Sequence, residues 1–391
     1  MERELIYSVI ALAVLFVGLL LTYRLRWRDF RLVGKSAADD APSEFPRISV
    51  LIPFGRGEHD ALLASLPQIF EQDYPDFEVI VIDQGCDVNT EELTNELQNV
   101  NKRIRLCTVP HSARHIAQGR FALMLGARAA HSDLLLFMTP SSTPSSESLL
   151  RRLASALSED VDAVLGYCNF LNTRRWGIRR AINARLREQI LRLRAAKRGV
   201  AMGAENAGVL IRKDAFLASI SDLEGLRMPI GEIDLNVERL GVKGRVRVLM
   251  SPETTVLQDI EYRIQVSLPF VTSTLTRGKK SARVRRYYRR DAFASWMLWM
   301  SVLAMFAYFG IRMYSIVTMQ AYQLQYIAPD VVWFLLILTL FLLPTLLMRN
   351  ACKRLGECRF GVREVFYELG KPLRSVRVWS RVRRVMRRFA L

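Results

Sequence analysis

The sequence predicts an α/β domain with a mostly parallel sheet, joined to three membrane-spanning helices. Three observations carry this. Between residues 48 and 137, apolar runs of strand length alternate with helix-length patterns, the spacing of a parallel α/β sheet. Three uncharged apolar stretches, 5–22, 292–311 and 331–348, approach the roughly 20 residues that cross a bilayer. The excess of basic charge, behind a net charge of +18, gathers largely beside those stretches.

Taken in order, residues 1–23 form the first span. Its basic cluster (Arg24, Arg26, Arg28, Arg31, Lys35) follows it, and no small-residue cleavage site is evident, so it reads as an anchor rather than a secretory signal. The positive-inside rule places that cluster in the cytoplasm. Residues 24–46 read as a basic juxtamembrane linker, and the soluble domain occupies 47–260. Strand 48–52 ends at Pro53, helix 62–70 follows, and strand 77–82 ends at Asp83. Thr90, Glu91 and Glu92 open a helix to residue 97. Strand 104–109, helix 115–130 and strand 134–137 complete the alternation. This last strand runs into a turn of Thr, Pro and Ser at 139–144, which cannot continue it. Ligands of open α/β sheets bind outside the carboxyl ends of the strands. The turn therefore belongs at the floor of a pocket, to which it brings hydroxyls and prolines and no carboxylate.

A further strand is expected at 161–167. In residues 174–198, Ile178, Ile182, Leu186, Ile190 and Leu193 form one apolar stripe among ten basic residues and the single acid Glu188. Such a basic amphipathic helix lies at a membrane surface or packs on the domain, and the pattern allows either. Residues 204–208 are a turn entering strand 209–211. An acidic turn, Gly231-Glu232-Ile233-Asp234-Leu235, opens another helix. Residues 261–291 are a basic juxtamembrane segment, 292–348 the paired spans, and 349–391 a basic tail. In the tail, Val378, Val382, Val385/Met386 and Phe389 have the spacing of an interfacial helix.

The location of the charge says what it meets. The tail carries +10, residues 277–290 +8, 174–198 +9 and 24–35 +4, together +31, so the remainder stands at −13. Charge beside spans selects anionic lipid headgroups, at about 1 kcal/mol per basic residue. No nucleic-acid partner is expected, since no such motif accompanies the charge. Five cysteines without CxxC spacing exclude a disulfide framework and a zinc site. The four histidines have no metal-site pattern: His111 and His115 are four apart but lack a following acid.

Two features could carry chemistry. Asp83, at the carboxyl end of an apolar strand, is placed either to accept hydrogen bonds from a ribose or base or simply to shape a turn. Glu232 and Asp234, at a helix start, offer a general base or merely the acids favoured there.

The order of 48–53, the run Gln72-Asp73-Tyr74-Pro75-Asp76-Phe77-Glu78-Val79-Ile80-Val81-Ile82-Asp83, the 115–130 helix, 134–144 and 231–235 resembles the membrane-anchored bacterial type of family 2 glycosyltransferases over residues 46–260. The resemblance implies a GT-A (Rossmann-like) fold and an enzyme using a nucleotide-sugar donor. It puts Pro53 and the loop after it against the donor nucleotide, Asp83 on its base or ribose, and Asn206 before a strand. It makes Glu232 the catalytic base and Asp234 the second acid of that motif. Thr139 and Ser141 fall where the family has the Asp-x-Asp pair that holds a divalent metal. Thr139-Pro140-Ser141 thus makes a degenerate motif at which Mg or Mn is not expected. Gln84 and Cys86 also depart from the pattern, and no QxxRW motif follows. The leaving diphosphate then needs another cation, for which Arg114, Arg120 or a membrane-proximal arginine is available. These implications converge on sugar transfer to a lipid-linked acceptor at the cytoplasmic face of the inner membrane, in surface polysaccharide synthesis. The lost carboxylates motivate the alternative, an inactive scaffold or regulator of a polysaccharide assembly complex.

Overall fold

The computed structural model describes residues 2–34, 45–85, 89–110, 118–171, 176–220, 232–240, 245–259, 281–319, 327–357, 361 and 363–371. Residues 35–44 of the linker, Cys86, His111, Arg114, His115, Gly231, residues 277–280 and the tail helix lie outside them. Two compact units result: the described residues of 32–284 in one, and those of 1–31 and 285–380 in the other.

The chain begins with helix α1 (Glu2–Leu25) and enters the α/β domain at β1 (Ile48–Phe54). There follow α2 (His59–Phe70), β2 (Phe77–Asp83), α3 (Thr90–Val100), β3 (Ile104–Thr108), α4 (Gln118–Ala129) and β4 (Leu134–Phe137). Next come β5 (Ser142–Pro144), α5 (Leu149–Ser155), β6 (Ala163–Leu165), β7 (Tyr167–Phe170) and α6 (Trp176–Ala196). The domain closes with β8 (Val209–Arg212), α7 (Lys213–Ile220), α8 (Glu232–Leu240), β9 (Val246–Val248) and β10 (Thr255–Gln258).

The main sheet has the order β3-β2-β1-β4-β8-β6-β9. Every described pair in it is parallel except those made by β8, which runs antiparallel to β4 and β6. β1, β2 and β4 are almost entirely buried, which is why they read as unbroken apolar runs rather than alternating ones. Leu62, Leu66, Leu93, Leu97, Leu149 and Leu153 form one core with the sheet. On the other face α4 comes close enough that a Cβ on Gly126 would lie 2.3 Å from Ile82, and Phe137 packs on Phe216 of α7 at 4.7 Å.

The strand expected at 161–167 is divided. Gly166 sits 2.7 Å from the Thr254 carbonyl at its Cβ position, and the chain there passes from the main sheet to a second one, β5-β10-β7. Helix α6 buries its whole apolar stripe, Ile178 through Leu193, and packs against β7 and β9.

At the amino end of β2, Glu78 joins three strands. Its carboxylate accepts hydrogen bonds from Ser49 Oγ (2.6 Å), the His131 amide (2.8 Å) and Arg105 Nη1 (3.1 Å), with His131 Nδ1 at 3.2 Å. Burial by itself would raise its pKa, but these four contacts outweigh that and hold it at about 2.

The other unit contains α1, α9 (Ala282–Met319), α10 (Ile327–Leu355) and α11 (Arg363–Leu369). Among the described residues, three helices are long and apolar enough to cross a membrane. α9 extends well beyond the apolar run 292–311, because nothing in the basic residues before it breaks a helix. A Cβ on Gly18 of α1 would lie 2.2 Å from Ser301 Oγ of α9, so the two helices touch through small residues. Arg26 pairs with Asp291 (3.2 Å) and Glu368 (2.6 Å), and Lys371 also reaches Asp291. At the other end of the α9–α10 pair, Arg312 binds Asp330 through two bonds of 2.9 Å, and Tyr308 donates to the same carboxylate at 2.6 Å.

Candidate functional site

The sheet reverses its direction of growth between β1 and β4: β2 and β3 extend it one way, and β4 starts the other. Open α/β sheets bind ligands at such a switch point, outside the strand ends. A cleft with about 130 Å³ of free volume lies there. Pro53 of β1, Gln84 after β2 and the run Met138, Thr139 and Pro140 after β4 form its sheet-side wall. Glu58, Leu123 of α4, Asn206 and Ile233 of α8 complete it. Its polar groups are thus one carboxylate, two amides and a hydroxyl, and no Lys or Arg is among its described lining.

Each wall is held by local chemistry. Glu58 ends the loop after β1, where its Oε2 accepts the Gly55 amide at 3.1 Å. Asp83 is buried; its Oδ1 accepts the Gly85 amide at 2.8 Å, in a turn that places Gly85 at φ +95 and leaves Gln84 facing the cleft. Asp83 therefore supports the wall from behind. Asn206 follows a loop that starts at Gly203, whose φ of +103 favours glycine. A Cβ there would also fall 1.9 Å from Asp234 Oδ1.

The turn after β4 is closed on itself. Ser142 Oγ accepts the Thr139 amide (2.9 Å) and donates to the Thr139 carbonyl (2.6 Å), which also takes the Ser142 amide. Thr139 Oγ1 accepts from Gln258 Nε2 at 2.9 Å, and the Ser141 carbonyl accepts the Asp259 amide at 2.8 Å. These residues do not fit a divalent ion. Hard cations are held by carboxylates and free oxygens, whereas this turn has no carboxylate, and the Thr139 hydroxyl and carbonyl, the Ser141 carbonyl and Ser142 Oγ are already hydrogen-bonded. Among the described residues, no three His, Cys, Asp or Glu side chains converge on one point.

Of the residues expected from sequence, the structure brings Pro53 and Thr139 to the cleft, with Asn206. Ser141 and Asp83 stand behind the wall. Arg120 does not face the cleft as a diphosphate partner would: it is 2% exposed, and its Nη2 donates to Asn236 Oδ1 at 2.5 Å, tying α4 to α8. Glu232 is the first residue of α8, immediately before Ile233 in the wall. Its side chain lies outside the described set. Asp234 points elsewhere, because neighbours on a helix diverge by about 100°. Its carboxylate lies 3.7 Å from Arg192 Nη2 and is buried. Sequence reasoning named the loop after Pro53 but not Glu58 within it. The signal was present, since an acid just before a helix at a strand's carboxyl end is placed to face a ligand.

Comparison with known proteins fits this geometry. Residues 49–217 match the family model Glycosyl transferase family 2. A solved structure of the mannosyltransferase PcManGT from Pyrobaculum calidifontis, in complex with GDP-Man and Mn2+, superimposes with a TM-score of 0.52 at 17% identity. The match covers 94% of this chain and 99% of that one. The likeness shows the fold, GT-A. TarS of S. aureus aligns at TM-score 0.41 and 14% identity over 64% of this chain and 43% of its own. No curated protein sequence matches the chain.

Proposed function

Taking the segment 49–217 as a family 2 glycosyltransferase domain, we propose that the protein transfers a sugar from a nucleotide-sugar donor to a lipid-linked acceptor at the cytoplasmic face of the inner membrane, in surface glycan synthesis. The observation that carries this is the cleft at the switch point of the sheet, lined by a carboxylate, two amides and a hydroxyl. Such a set suits an uncharged, hydrogen-bonding moiety, the sugar or base of the donor. The three apolar helices and the basic charge beside them favour an acceptor carried in a membrane of anionic lipids, with the domain on the positive side.

In this reading Glu232, at the start of α8 next to Ile233, takes the proton of the acceptor hydroxyl. The hydroxyl oxygen bonds to the anomeric carbon from the face opposite the diphosphate, and the bond to the diphosphate oxygen breaks with inversion. Glu58, Gln84 and Asn206 hold and orient the donor. Asp83 and Ser141 fix the backbone around it. Asp234 and Arg120 keep α8 in place, and no step is assigned to a metal.

A second reading, a GT-A domain that serves as a scaffold in a polysaccharide assembly complex, is favoured by the closed Thr139–Ser142 turn. One experiment separates the two. The full-length protein in lipid nanodiscs is offered a panel of radiolabelled nucleotide sugars with a lipid extract, with and without Mg or Mn. Label entering the organic phase, lost in Glu232→Gln, supports the enzyme. No transfer and no donor binding across the panel would refute it and leave the scaffold.

A further inference from the structure

We infer that Arg185 and Arg192 of α6 are positioning residues of the cleft, a buried guanidinium pair that fastens three of its walls to one helix. The inference rests on the reading of that cleft as the donor site. The two arginines are seven residues apart, two helical turns, and so share a face. Their side chains are 6% and 4% exposed.

Each wall is reached through a named contact. Arg185 Nη1 donates to Gln258 Oε1 at 2.6 Å, and Gln258 Nε2 donates to Thr139 Oγ1 at 2.9 Å, at the turn where the family has its metal-binding pair. Arg185 Nη2 binds Glu205 Oε2 at 3.0 Å, and Arg192 Nη1 binds Glu205 Oε1 at 2.9 Å; the next residue, Asn206, lines the cleft. Arg192 Nη2 lies 3.7 Å from Asp234 Oδ1, next to Ile233 in the third wall. The face of Arg185 is also fixed, 3.9 Å from the centre of the Phe170 ring.

Stability alone is a poor reason for such a cluster. Burying two guanidiniums and their acids is costly, and apolar replacements of similar volume are often as stable or more so. What the pair supplies is direction. The planar fork of Arg185 sends one nitrogen to the Thr139 turn and the other to the Asn206 loop, which a point charge cannot do. Burial pushes the Glu205 carboxyl up, but Arg185 and Arg192 beside it outweigh this and leave it below the usual range, so both oxygens stay acceptors.

The test uses the full chain in nanodiscs, read by hydrogen–deuterium exchange and by calorimetric titration with UDP and GDP. Arg185→Gln should speed exchange about tenfold in both the 139–142 and 203–208 segments. The strands around Glu78 should not change. Arg185→Lys should restore 203–208, because the charge on Glu205 remains, and leave 139–142 fast, because the bond to Gln258 is lost. Gln258→Leu should loosen 139–142 alone. Each loosened variant should weaken whichever nucleotide the native protein binds by about tenfold, or 1.4 kcal/mol. A uniform rise in exchange across the domain, no rise at either segment, or full restoration by Arg185→Lys would overturn the inference. If the exchange pattern holds while neither nucleotide binds, the positioning role stands and the donor-site reading falls.

Discussion

Replacing Glu78 by Gln separates the stability of the domain from its site, because Glu78 sits at the amino end of β2 and the cleft at its carboxyl end. The carboxylate takes contacts from β1, β3 and the approach to β4. A glutamate held at about 2 instead of 4.5 contributes up to about 3 kcal/mol. Arg105 and His131 are 43% and 60% exposed, and solvent screens their share, so about 2 kcal/mol is the expected effect. The folded pKa is depressed, so this contribution is complete above the unfolded value of 4.5 and is lost as pH falls towards 2. Glu78→Gln should therefore lower the melting temperature at pH 7 and flatten its decline between pH 5 and pH 3. Thermal unfolding of the full-length protein in detergent, followed by tryptophan fluorescence across that range, gives both numbers. Donor affinity should be unchanged. A variant whose melting temperature tracks the native curve in parallel from pH 7 to pH 3 would show that the Glu78 network carries no linkage.

Two further outcomes follow from close packing. Gly203→Ala puts a Cβ where Asp234 Oδ1 now lies, on a residue with φ +103, and should cost about 2–4 kcal/mol; a melting temperature within a degree of native would contradict the geometry. In the helical unit, Arg312→Leu or Asp330→Leu alone leaves a charge that has lost its partner and should cost about 3 kcal/mol, while the double replacement recovers most of it. Additive losses in the detergent melting curves would mean that the two groups are not coupled.

How much of this was legible without coordinates varies by element. The cores of β1, β2 and β4 were readable, because a strand buried on both faces is an unbroken apolar run ended by Pro53, Asp83 or the Thr139 turn. α3 was readable from its first acids, and the structure adds Asn89 as its cap, accepting the Glu91 amide at 3.2 Å. The three apolar helices were readable from length and composition. The site was half legible. Strand ends marked Pro53, Asp83 and Thr139, but whether a residue faces the cleft or stands behind it depends on turns such as that of Asp83 with Gly85.

By itself, the sequence determined the class of fold, the strand ends at which a ligand would bind and the absence of carboxylates from the turn after β4, since these follow from local pattern and residue identity; the strand order that makes a switch point came only with the tertiary structure. Only the tertiary structure decided what the basic helix α6 meets. Its arginines are equally suited to lipid headgroups and to carboxylates, and periodicity cannot tell one anion from another. Folding brings Glu205, Asp234 and Gln258 to Arg185 and Arg192 from elsewhere in the chain, and of the two settings the pattern allowed, this part of the charge is in the frame of the cleft.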